Sequence, residues 1–202
     1  MHERQVRAFL NLIHGADRSF AGYPNLPVKR RVYMTYDWRN RYAAGLDGLL
    51  VEYEIDRSPN EVVVRLVVQN REEWFREHGF RRGLPQEMRR PGYTDGELTI
   101  QRIPEERLRP QCLSNVRELK ESTGRSLDTW IVHSVHLRNP KLEGRGLGKA
   151  MYLKAFEAVS PAIVTSDRCG GGQTSLFAKR VWESLKSRFP HRGTGDELAL
   201  LV

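Results

Sequence analysis

Apolar residues change their spacing several times along this 202-residue chain, and each change marks an element. Val6, Phe9, Leu10 and Ile13 recur at helical intervals, which predicts a short amphipathic helix over 3–14 that ends near Gly15. A turn-rich stretch at 21–27 follows, and Val32, Tyr33, Met34, Thr35 and Tyr36 then supply the β-branched and aromatic content of a strand. Strand-like runs at 49–55 and 61–69 flank Asp56, Arg57, Ser58, Pro59 and Asn60, whose turn-forming composition predicts a hairpin. Asn70 with Glu73 three positions on predicts a capped helix over 71–78, packing Trp74 and Phe75 on the sheet and stopping at Gly79.

The segment 81–96 mixes glycine, proline and arginine and reads as an exposed loop and a boundary within the chain. A short strand over 97–103 leads to a helix over 107–121, with Pro104 and Pro110 crowding its start. From Leu127 the pattern becomes regular: a strand over 129–137, a glycine-rich turn, a helix over 147–159, a strand over 162–166, a loop, a helix over 174–189 and a terminal strand over 197–202. Alternation of this kind predicts α/β layering. No internal repeat or low-complexity tract interrupts it.

Composition narrows the picture. Hydrophobic residues are 39% of the chain and charged residues 29%, as in a folded globular protein, and no apolar run approaches the roughly 20 residues that span a bilayer. Residues 1–7 alternate charged and apolar side chains and lack the apolar core of a secretory leader, so a cytoplasmic location without membrane contact is expected. Cys112 and Cys169 are far apart and belong to no metal-ligand spacing, so neither a disulfide nor a bound metal is expected. The formal charge of +8 attracts phosphate-bearing partners, whether nucleic acid, an anionic surface or a phosphorylated cofactor. Basic clusters at Lys29-Arg30-Arg31, Arg81-Arg82, Arg89-Arg90 and Lys179-Arg180 are accompanied by no nucleic-acid-binding motif and read as a solvated surface.

The chemistry concentrates in Glu143-Gly144-Arg145-Gly146-Leu147-Gly148-Lys149-Ala150, between a predicted strand and a predicted helix. Glycines let the backbone approach an anion closely, the first helical amides can point at one phosphate, and the helix dipole adds to the attraction. The alternative is that Gly144, Gly146 and Gly148 merely make a tight connection. A dinucleotide-binding turn is disfavoured by the late place of this segment in the chain, and a Walker-type loop would need Ser or Thr where Ala150 follows Lys149.

This segment resembles the diphosphate-binding motif of the GNAT superfamily of acyl-CoA-dependent N-acyltransferases, matched in order by Arg145, Gly148 and Ala150. Val135 to Pro140 looks like the end of that family's central strand and its following loop. Ile163 to Asp167 and Ser175 to Trp182 resemble its next strand and helix. The likeness runs from Leu127 to the C-terminus; the first half resembles nothing identifiable.

The resemblance implies a mixed, mostly antiparallel central sheet flanked by helices in one domain. Residues 1–96 would be an elaborated N-terminal part able to bind the acceptor, and 97–202 an acyl-CoA-binding core. It further implies an N-acyltransferase with acetyl-CoA as the default co-substrate. The cofactor's diphosphate would lie on Arg145, Gly146, Leu147, Gly148, Lys149 and Ala150, and its pantetheine arm along the edge of 130–137. An amide of His136 or Leu137 would polarise the thioester carbonyl. His133 and His136, three apart on one strand, are expected on opposite faces, with at most one lining the site as general base. Ser134 faces the other way from His133. Asp167 is the carboxylate best placed in sequence, with turn formation as its alternative role. Cys169 could approach the thioester. The family's tyrosine proton donor is replaced here by Trp182, whose indole cannot protonate a thiolate and would pack on the cofactor, leaving water, Tyr152 or the Cys169 region as substitutes.

The acceptor amine is open: the basic charge suggests a nucleic-acid-linked amine, and a protein lysine or N-terminal amine is a further option. An alternative function is a GNAT-fold protein that binds or modifies nucleic acid without acetylating, and a third is an interaction module whose glycine turn binds nothing.

Overall fold

The computed structural model describes residues 49–77 and 84–202, together with the backbone of Arg30–Thr35. The helix expected over 3–14, the turn at 21–27, Gly79 and the basic pair Arg81-Arg82 lie outside the described residues. Among the described residues eight strands form one sheet in the order β1-β2-β3-β4-β5-β6-β8-β7. They are β1 (Arg30–Thr35), β2 (Leu50–Arg57), β3 (Glu61–Val68), β4 (Gly96–Arg102), β5 (Thr129–Leu137), β6 (Ile163–Thr165), β7 (His191–Arg192) and β8 (Ala199–Leu201). All neighbours are antiparallel except β5 and β6, which run parallel, as a strand-helix-strand crossover requires. Among the described residues four helices accompany the sheet: α1 (Arg71–Glu77), α2 (Pro110–Thr123), α3 (Leu147–Val159) and α4 (Leu176–Lys186). The chain is α/β with a mostly antiparallel open sheet.

Alternation along the strands sorts the core onto two faces. On β3, Val62, Val64, Leu66 and Val68 are buried while the residues between them are partly exposed. They join Leu147, Met151, Tyr152, Ala155 and Phe156 of α3 and Trp74 and Phe75 of α1 in the larger cluster. On the other face α2 contributes Cys112, Val116 and Leu119 to a smaller cluster with Ile131, Ile163 and Ala199. Consecutive residues such as Trp130 and Ile131, or Ile163 and Val164, therefore enter opposite cores.

The segment before β4 is fastened from beneath. Asp95 is fully buried and takes hydrogen bonds from the Val68 amide at 2.8 Å and the Arg71 guanidinium at 2.6 Å. Arg71 also donates to the Met88 carbonyl at 2.9 Å, holding the single turn at Gln86–Arg89 over α1. The expected boundary thus joins strands that pair in register, Leu66 opposite Gly96 and Val64 opposite Leu98. Asn70 stands at the start of α1, its carbonyl accepting the Trp74 amide at 3.0 Å, and its Oδ1 accepts the Leu50 amide at 2.9 Å across the hairpin. The helix expected over 107–121 begins instead at Pro110, whose missing N–H is harmless in a first turn, after a 3-10 turn at Glu105–Arg107.

Cys112 and Cys169 form a disulfide, against the sequence expectation. Spacing along the chain gave no hint, because the pairing depends on α2 lying beside the turn that follows β6. The bond closes a loop with a sequence separation of 57. Restricting the unfolded chain in this way contributes about 4 kcal/mol in the loop-entropy picture. Replacing both cysteines with alanine is therefore expected to lower unfolding free energy by about that amount in a urea titration, and a loss below about 1 kcal/mol would contradict the assignment. Among the described residues no helix is long and apolar enough to cross a membrane.

Candidate functional site

The site begins with an interrupted pairing. β5 is hydrogen-bonded to β4 along its length, but on its other side only Thr129–Ile131 pair with β6, which is three residues long. From Val132 to Leu137 the backbone on that side has no strand partner among the described residues. A β-bulge adds to the opening: Val132 pairs with Ile100 and Ser134 with Thr99, leaving His133 unopposed. Alternation then resumes one step out of phase, so that Val132 and Val135, three apart, both pack on the larger core. This overturns the expectation that His133 and His136 diverge. Both are exposed, and each lines a part of the site.

The connection from β5 to α3 is held by local chemistry. Asn139 Oδ1 accepts the Lys141 amide at 3.0 Å, and Leu142 and Leu147 bury their side chains on either side of the glycine turn. Gly146 caps α3 with φ of +80°, a conformation that favours glycine, and brings no side chain to satisfy the helix's first amides. The first bond of the helix runs from the Ala150 amide to the Gly146 carbonyl at 3.0 Å. The amides of Leu147, Gly148 and Lys149 have no protein acceptor among the described residues.

Those amides border a cleft of about 460 Å³ whose walls include Val135, His136 and Leu137 of β5, Gly146 to Lys149, and Phe177, Arg180 and Val181 of α4. Lys149 and Arg180 give it cationic lining, against a single carboxylate at Glu143. Burial and the nearby charge of Arg188 hold the Lys149 ammonium below the ordinary lysine value. Phe177 is 65% exposed at the rim with the Arg180 guanidinium 6.0 Å from its ring centroid, a ready stacking surface.

A second cavity of about 200 Å³ continues from the first, sharing Val135, Tyr152, Ser175 and Ala178 with it. Here the structure brings together His133, Ser134 and Asp167, which the sequence separates by more than thirty residues, with Thr174 and Trp182. Asp167 lies two residues past the end of β6 and opens a short 3-10 turn. Its carboxylate lies over Gly172, where a Cβ would come within 2.0 Å of Oδ2, so glycine there makes room for the acid. No hydrogen-bonding or cationic side chain partners the Asp167 carboxylate among the described residues.

Tyr152 stands at the junction of the two cavities, its ring packed edge-on to Trp182 with centroids 5.8 Å apart. Burial pushes its phenol up, the neighbouring Trp182 indole offsets part of that rise, and the charge of Asp167 adds to it. The phenol is therefore fully protonated at neutral pH.

Four residues expected at or near the site serve other ends. The Arg145 guanidinium turns away from the cleft, its Nε donating to the Lys141 carbonyl at 2.6 Å and its Cζ 5.1 Å from the Trp74 ring centroid. Ala150 closes the first turn of α3 through its amide. Trp182 is buried beside the inner cavity and does not reach the cleft that would receive adenine. Cys169, fully buried in its disulfide, lines neither cavity. Sequence reading missed Phe177, Arg180 and Thr174; an apolar pair, Leu176 and Phe177, at a helix start was the only available signal for the first. Comparisons of the chain with protein-family models, curated proteins and solved structures find no match.

Proposed function

We propose that this chain is an acyl-CoA-dependent N-acyltransferase, with acetyl as the transferred group. One observation carries the reading: three partnerless amides at the start of α3 face a cleft that runs on along the partnerless edge of β5. A diphosphate is the ligand such amides and the adjacent Lys149 and Arg180 satisfy. An extended, amide-bearing arm is what a bare strand edge pairs with. Pantetheine joins the two in one molecule. A mostly antiparallel sheet accompanied by helices, with strand, glycine turn, helix and strand following in order through β5, α3 and β6, supports the reading.

In this reading Phe177 stacks the base and an edge amide of β5 polarises the thioester carbonyl. The attacking amine must lose a proton, and the groups at hand are His133 and Asp167. As the new C–N bond forms and the C–S bond breaks, the departing sulfur takes a proton from Tyr152. That phenol supplies what Trp182 cannot. The Trp182 ring packs edge-on against it, with centroids 5.8 Å apart. Asp167, His133 and His136 thereby keep distinct places: His136 at the cofactor cleft, the other two at the inner cavity.

The test is a thermal-shift titration with acetyl-CoA, paralleled by duplex DNA at rising salt. Acetyl-CoA at one hundred times its Kd is expected to add about 2.7 kcal/mol of stability. Stabilisation by DNA alone, falling steeply with salt, would favour the nucleic-acid-binding alternative. Tyr152→Phe is expected to leave that cofactor shift intact and to slow transfer by about a hundredfold, the lower end of what a proton donor contributes; unchanged turnover would remove Tyr152 from the mechanism.

A further inference from the structure

A further groove of about 460 Å³ lies where the segment before β4 meets the end of β5, lined by Glu87, Arg90, Pro91, Gly92, Tyr93 and Arg138. None of these residues borders the cofactor cleft or the inner cavity. Two fixed pieces of backbone build it. The Tyr93 amide donates to the Arg90 carbonyl at 3.1 Å and closes a tight turn, with Pro91 second and Gly92 third at φ of +76°. The Arg138 amide donates to the Asp95 carbonyl at 2.8 Å, one rung beyond the Gly96–Leu137 pair. The Arg138 side chain has its own support, its Cζ 5.7 Å from the Tyr93 ring centroid. Arg71, paired with Asp95, lies 4.8 Å from the same centroid. An arginine over an aromatic ring still has its N–H fork to offer a ligand. Arg90 and Arg138 are exposed, and neither meets a carboxylate or carbonyl oxygen among the described residues.

We infer that this groove binds a phosphate monoester, with the guanidinium groups of Arg90 and Arg138 as its donors. The inference is separate from the acyl-transfer reading and does not depend on it. Two arginines against the one carboxylate of Glu87 leave the groove cationic, so it draws an anion. A carboxylate brings one charge and two oxygens, which a single arginine fork satisfies. A phosphate monoester brings a charge of about −1.5 to −2 at neutral pH and three acceptor oxygens, enough to engage both arginines. A phosphodiester loses one charge and one of those oxygens. The sequence pair Arg89-Arg90 reads as a solvated surface, but the two side chains differ in the fold. Arg89 has the Glu72 carboxylate 3.8 Å away, while Arg90 lines the groove.

The experiment is an amide nuclear magnetic resonance titration of the isotope-labelled protein with glycerol 3-phosphate, with dimethyl phosphate and acetate as controls. Saturable shifts are expected at the Gly92, Tyr93 and Arg138 amides, and both controls are expected to bind at least about tenfold more weakly. Arg90→Ala and Arg138→Ala are each expected to weaken glycerol 3-phosphate by about tenfold, the loss of one charge-assisted hydrogen bond. Both side chains are exposed, so the melting temperature of each variant should stay as it was, which separates a lost ligand contact from a lost fold. Gly148→Asp, which alters the cofactor cleft, is expected to leave the affinity unchanged. Short oligonucleotides with and without a 5′-phosphate distinguish the sources of the ligand. Tighter binding of glycerol 3-phosphate supports a free small molecule, and tighter binding of the phosphorylated oligonucleotide alone supports a nucleic-acid end. Equal binding of dimethyl phosphate, full affinity in both arginine variants, or loss of binding in Gly148→Asp would overturn the assignment.

Discussion

Replacing Gly148 with aspartate is expected to cost about three orders of magnitude in acetyl-CoA affinity while the protein stays folded. Gly148 is the second residue of α3; its φ is not positive, and a Cβ built on it meets nothing within 4 Å. Aspartate near a helix start favours the helix itself, so stability should hold or rise slightly. The same side chain would project into the space where the diphosphate meets the amides. A carboxylate about 4 Å from a phosphate charge costs about 4 kcal/mol at an effective dielectric of 20. Calorimetric titration of the variant, with circular dichroism to establish folding, measures both halves of the expectation. Arg145→Ala makes the informative contrast. That side chain is engaged by the Lys141 carbonyl and the Trp74 ring, so its loss should change affinity by less than tenfold and appear mainly as lowered stability. Reversal of the two effects would show that the arginine, and not the backbone, grips the cofactor.

Arg71→Ala is expected to cost the protein several kcal/mol of stability, about 3–5 kcal/mol, through the charge it leaves buried. Asp95 is fully buried with its Oδ2 2.6 Å from the Arg71 guanidinium. Removing the arginine leaves that carboxylate with the Val68 amide and no countercharge. Breaking one side of a buried pair typically costs about 3–5 kcal/mol. For a chain of this size that corresponds to a fall of roughly 6–20 °C in melting temperature. The double replacement Arg71→Met with Asp95→Asn should recover most of the loss, because the cost lies in an uncompensated charge and not in the pair's own attraction. A single-variant loss under about 1 kcal/mol would mean that Asp95 finds other partners.

The path from sequence to this site was legible where local chemistry decides structure. Val132 and Val135 lie in a β-branched run bounded by turn formers, and the strand over 129–137 has the same limits in sequence and structure. Gly146 and the apolar repeat from Leu147 likewise fix α3 at both ends. Legibility failed where distant parts meet. The bulge at His133 arises from how β5 registers against β4, and nothing in His133 or its neighbours announces it. Arg145 looks like a phosphate ligand in sequence, but Trp74, some seventy positions earlier, offers its ring face and competes for the guanidinium. The Cys112–Cys169 bond and the meeting of His133 with Asp167 share that origin: both depend on β6 returning parallel to β5, which brings the turn after β6 beside elements far away in the chain. The glycine turn could therefore be read from six letters, whereas the inner cavity required the fold.

Backbone recognition of a diphosphate is the claim on which the account depends, and amide nuclear magnetic resonance reads it residue by residue. On titrating the isotope-labelled protein with CoA, the amide signals of Leu147, Gly148 and Lys149 are predicted to show the largest saturable shifts, with smaller changes along Val132–Leu137. If CoA leaves those three amides unmoved while shifting others, or produces no saturable change at all, the central claim is contradicted.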